Sequence, residues 1–219
     1  MPYRFDATIE FNNSVEDLVT LISYAIHERD SENEKNRLLF LKLTVVSSVT
    51  KFQVFIESIL KEYVYLIQRS GKTNQEIQLN LRLNSIRLFS TKKIISKTLE
   101  NHTAYSLDTL SEVREIAQRT LKLCDDAETV SEDLYFDTKF PLGKTGLEEL
   151  IKLFRQINGV NIFANAPFDI NKLNEILGRR HAIIHEDSNP QLTEEVVENY
   201  KSFLIEVTAY VDQYLAENL

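Results

Sequence analysis

Apolar residues recur at helical spacing along most of this 219-residue chain. The pattern departs from that period only near the start and at a few breaks. Residues 3 to 11 alternate apolar and polar (Tyr3, Phe5, Ala7, Ile9, Phe11), which predicts a short strand or an extended arm. Ser14 with Asp17 three residues on predicts an N-cap and a helix to about Arg29. Ser31 and Glu34 repeat the signal ahead of a segment from about 36 to 68. There Val45, Val46, Val49, Phe52, Ile56, Ile59, Leu60, Tyr63 and Ile67 are apolar, the wide apolar face of a central helix in a bundle. The β-branched run from Thr44 to Thr50 lowers helix propensity, so burial must stabilise it.

Ser70-Gly71-Lys72-Thr73-Asn74 breaks the pattern. Helical spacing resumes from about 77 to 100, with a kink expected near Ser90, and again from about 106 to 124. The acidic stretch 125–137 and the segment Tyr135 to Gly143 read as irregular. Thr145 and Glu148 predict a capping box for a helix to about Ile157, and Gly159 to Pro167 reads as a connection. Asp169 predicts the cap of a helix that stops before Asn189-Pro190. A final helix is expected from about Thr193 to Glu217, with Tyr200, Phe203, Leu204, Val207, Tyr210, Val211 and Tyr214 as its apolar stripe. No internal repeat or Gly/Ser/Pro-rich linker divides the chain. The expectation is a single all-α domain over 1–219, with an insertion-like, elaborated section at about 70–145.

Composition narrows the class. Only 5 Gly and 4 Pro occur, so turns are few and helices long. The one cysteine, Cys124, excludes an internal disulfide framework and a cysteine zinc site, and fits a reducing cytoplasm. The start of the chain lacks the apolar core of a signal peptide. Lys42, Lys51, Glu57, Lys61 and Glu62 interrupt the most apolar stretch, so no membrane span is expected. A net charge of −8 argues against a general nucleic-acid coat, because phosphate binding relies on cations. The charge is uneven: Arg82, Arg87, Lys92, Lys93 and Lys97 occur between 77 and 99 with no acid. That run is either a solvated face or a local RNA track.

Reactive groups concentrate in Arg180-His181-Ala182-Ile183-Ile184-His185. Arginine holds phosphate charge and histidine exchanges protons near neutral pH. On a helix His181 and His185 share one face, about 40° from eclipsed. Arg180 lies about 140° around from His185, so one helix makes a loose cluster, and a second copy across a two-fold axis would concentrate it. Two blander readings stand beside this one. A cation or histidine in a last turn complements the helix dipole, and two histidines four apart could ligate a metal, although the sequence places no third ligand.

The run Leu173-Asn174-Glu175-Ile176-Leu177-Gly178-Arg179-Arg180-His181-Ala182-Ile183-Ile184-His185 resembles the signature helix of HEPN domains, whose motif is Arg, four to six residues, then His. Arg180 matches the motif arginine, His181 the polar position after it, and His185 the motif histidine; Arg179 also satisfies the looser spacing. The long apolar helix carrying Glu57 and the long helix after the motif resemble the family's core. The resemblance implies a HEPN-like bundle of long antiparallel helices. It is closest to groups associated with RNA-targeting toxins and defence systems, and does not cover 70–145.

It further implies a cytoplasmic homodimer with both motifs in one cleft, needing neither metal nor cofactor. Attack of a ribose 2′-hydroxyl on the adjacent phosphate would leave a 2′,3′-cyclic phosphate. In that scheme His185 is the general acid/base, Arg180 stabilises the transition state, His181 positions substrate or supports proton transfer, and Glu57 orients Arg180 by an ion pair. An antitoxin or defence-system partner belongs to the same expectation. The competing readings are a non-catalytic HEPN scaffold that binds RNA, nucleotide or protein, and an ordinary helical oligomerisation protein.

Overall fold

A computed structural model describes residues 4–90, 107–143, 145–186 and 191–219. Its helices are α1 (Asp6–Val15), α2 (Asp17–Asp30), α3 (Glu34–Gln68), α4 (Leu79–Ser90), α5 (Leu107–Cys124), α6 (Gly146–Asn158), α7 (Ile170–His185) and α8 (Glu194–Glu217). Short 3-10 turns lie at Asn74–Glu76 and Ile162–Asn165. Among the described residues no strand forms, only an isolated bridge between Thr73 and Thr129. The fold is all-α.

The expected strand at 3–11 is a helix instead. Ala7, Phe11 and Val15 are buried at four-residue spacing while Ile9, which alternation would bury, is 44% exposed. Two periods coincide over so short a stretch, and the buried i, i+4 face decides between them. Lys92, Lys93, Lys97 and the expected kink's far side lie outside the described residues.

The chain gathers into two compact units, one of Met1–Glu62, Thr138–Leu153 and Asn161–Leu219, the other of Tyr63–Asp137 and Phe154–Val160. In the first, α3 and α8 run in the same direction. Arg37 near the start of α3 grips Glu194 at the start of α8, with its Nη2 2.7 Å from Oε2. Toward their far ends, Glu62 and Asp212 both receive donors from the start of α1. The α1–α2 pair runs the opposite way, with Asp17 bridging to Lys51 and Arg29 approaching Glu194.

Phe5, Leu41, Val49, Phe52, Ile56, Ile59, Leu60, Leu204, Val207 and Val211 are fully buried in this unit. α3 is long and apolar enough to cross a membrane, but Val45, Val49, Phe52, Ile56, Ile59 and Leu60 are buried in this core. Its β-branched run holds because Thr44, Val45, Ser48 and Val49 are buried, and the Thr44 and Ser48 hydroxyls donate to the carbonyls of Phe40 and Thr44, leaving no buried hydroxyl unsatisfied.

In the second unit, Thr73 and Glu76 form a reciprocal capping box. The Asn74 amide donates to the Lys122 and Asp125 carbonyls at the end of α5, and α4 packs on α5. Gly159 adopts φ +82° beside Asn80, a left-handed conformation that glycine takes without strain.

Candidate active site

Helix α7 carries the motif. Asp169 caps it, with Oδ1 accepting from the Asn171 N–H at 2.9 Å. Leu173, Ile176 and Leu177 seat its first half in the core, and the start of α6 approaches so closely that a methyl on Gly146 would meet Leu177 at 3.4 Å. Pairs between Glu175 and Tyr200 and between Lys172 and Phe203 set α7 antiparallel to α8. The buried first half leaves the last two turns to rise toward the surface: Arg179, Arg180 and His181 are half-buried and His185 is exposed.

The imidazoles of His181 and His185 come together, ring centroids 4.7 Å apart and tilted by 44°. Arg180 turns elsewhere, its Nη1 donating to the Leu142 carbonyl at 3.2 Å. Arg180 Nε and His181 Nδ1 are both buried without a hydrogen-bond partner.

Arg179 bonds Glu175 one turn back at 3.4 Å, and the Tyr200 hydroxyl donates to the same carboxylate at 2.6 Å. Burial and that hydrogen bond push the Tyr200 hydroxyl up to about 12, so it stays a donor at any ordinary pH. Among the described residues no cluster of three His, Cys, Asp or Glu is placed to hold a metal.

Glu57 does not pair with Arg180. Its Oε1 accepts from the Phe140 N–H at 3.1 Å and from the Gln53 amide at 3.2 Å, because the 140–142 segment runs where the ion pair was expected and its backbone N–H needs an acceptor. In the basic run, Arg82 is held by the Asp126 carboxylate and the Asn74 carbonyl, and Arg87 by Asn84 Oδ1. Lys92, Lys93 and Lys97 fall outside the described residues.

A profile of the RiboL-PSP-HEPN family matches residues 10–217, nearly the whole chain. The chain belongs to the HEPN family. No curated protein and no solved structure matches it. In this HEPN chain Arg180, His181 and His185 lie on the outward turns of α7, with the two histidines paired. What sequence reasoning missed is the acceptor on Arg180: a backbone carbonyl leaves no mark in a side-chain pattern. The nearest signal was Pro141, which marks Phe140-Pro141-Leu142 as a stiff, non-helical stretch.

Proposed function

We propose that this chain is a metal-independent HEPN endoribonuclease, working in the cytoplasm as a homodimer whose two α7 motifs share one cleft. The observation that carries the reading is the His181–His185 pair, ring centroids 4.7 Å apart, on the same outward helix end as Arg180. HEPN modules are often ribonucleases, and these groups suit that chemistry. The ribose 2′-hydroxyl must lose a proton as its oxygen bonds to phosphorus, and the departing 5′-oxygen must gain one as its bond to phosphorus breaks.

Exposed His185 serves as general acid/base. One motif from each protomer supplies both proton roles. Arg180 stabilises the charge that builds on the phosphorane oxygens through charge-assisted hydrogen bonds, and His181 positions the substrate. Its biological setting in this reading is that of a toxin or defence effector, with an antitoxin or system partner controlling it.

The test is cleavage of single-stranded RNA in EDTA with both product ends mapped. The proposal expects a 2′,3′-cyclic phosphate and a 5′-hydroxyl; a 3′-hydroxyl with a 5′-phosphate overturns it. Sedimentation should show a dimer, and a strict monomer contradicts the shared cleft.

A further inference from the structure

We propose that Gln53 and Glu57 of α3 are positioning residues for Arg180, acting through the backbone of Phe140-Pro141-Leu142. For its catalytic consequence this rests on the ribonuclease reading above. Phe140 is fixed at three points. Its ring is fully buried and lies edge-on to Phe52, centroids 6.4 Å apart. Its N–H donates to Glu57 Oε1 at 3.1 Å, and its carbonyl accepts from Gln53 Nε2 at 2.8 Å. Gln53 also donates to Glu57 at 3.2 Å, so the two side chains, one turn apart on α3, form a single clamp on both polar groups of one residue.

The acceptor of Arg180, the Leu142 carbonyl, lies two residues beyond the clamp. The residue between is Pro141, whose ring fixes φ and whose presence holds Phe140 extended. The Gly143 N–H closes back on the Pro141 carbonyl at 3.0 Å. Little torsional freedom separates the clamped residue from the carbonyl that receives the guanidinium.

Arg180 has no other hydrogen-bond acceptor among the described residues. Its planar fork makes that single bond decisive: fixing Nη1 on one carbonyl sets the plane in which Nε–H and the remaining N–H groups are presented. Glu57 therefore governs the arginine without touching it, in place of the ion pair its residue type suggested.

Four variants test this: Glu57→Ala, Glu57→Gln, Arg180→Lys, and Glu57→Ala with Arg180→Lys. Each is checked for an unchanged circular dichroism spectrum and assayed for RNA cleavage with kcat and KM separated. Misplacing a transition-state group by about an ångström can cost up to roughly 10²-fold. Glu57→Ala should therefore lower kcat by about 10-fold to 10²-fold with KM little changed. Glu57→Gln, which keeps an acceptor for Phe140 N–H, should restore most of that loss. In the Arg180→Lys background, which has no fork to orient, Glu57→Ala should cost less than about twofold more. Equal losses in both backgrounds, or no recovery with glutamine, overturn the proposal.

The Arg180 Nε–H resonance supplies a readout independent of activity. It should shift in Glu57→Ala and return toward wild type in Glu57→Gln. If wild type cuts no RNA but the resonance behaves so, the coupling stands and the ribonuclease reading fails. If wild type cuts RNA and the resonance ignores Glu57, the coupling fails alone.

Discussion

Asp212 is the residue on which the first unit's entry depends. It is buried, and it accepts from the Arg4 and Phe5 N–H groups and the Thr8 hydroxyl. Those donors sit at or just before the start of α1, where a helix has no internal partners for its amides. A carboxylate borrowed from α8 does the work of an N-cap, and its charge suits the positive end of the dipole. Replacing it with alanine strands three donors, so Asp212→Ala should cost about 2–4 kcal/mol in chemical denaturation, with Asp212→Asn losing about half as much.

In the second unit, Gly159 at φ +82° makes the opposite kind of claim, about backbone rather than bonding. Gly159→Ala should lower stability by about 1–2 kcal/mol, since a Cβ disfavours the left-handed region and would also crowd the Asn80 amide. Neither role was legible from residue type. Asp212 reads as one more acid on a helix, and its three partners arrive from residues about 200 positions away. By contrast Asp169 was legible as a cap because its partner is local: it accepts the backbone N–H of Asn171, two residues on. Ser14 had the same local look but its hydroxyl turns back to the Phe11 carbonyl, and the next helix begins without it.

Among the elements, α3 and α8 were the most readable, because long apolar stripes leave one face to bury and no competing period. α1 was the least readable. Its ten residues contain too few turns for period two and period 3.6 to separate, and only the packing of Phe11 on Phe55 settles which face turns inward. Helix starts are joined by charge as well as by packing. Arg37 holds Glu194 in a two-bond grip, and mainly through that hydrogen bond the Glu194 carboxyl lies at about 2 rather than its usual 4.5.

A carboxyl depressed by folding contributes stability above its unfolded pKa and loses it as pH falls through the folded one. Denaturant midpoints should therefore decline between pH 4.5 and pH 2 more steeply for wild type than for Arg37→Leu. Parallel curves would show that the pair contributes nothing across that window.

The molecule as a whole joins a buried frame to an exposed edge. The first half of α7 is core and its last turns are not, so the same helix that anchors the unit delivers Arg180, His181 and His185 to its surface. The family profile covers residues 10–217, and the structure puts Arg180, His181 and His185 at one helix end. What the motif could not supply was the direction of Arg180, which depends on a carbonyl two residues past a buried phenylalanine.

The central claim is that this end of α7 performs phosphodiester chemistry. The direct measurement is the rate of single-stranded RNA cleavage in EDTA by wild type, Arg180→Ala and His185→Ala at equal folded concentration. Clear cleavage is expected from wild type, with a fall of roughly 10² to 10⁴-fold in each variant. Cleavage at wild-type rate by either variant would contradict it.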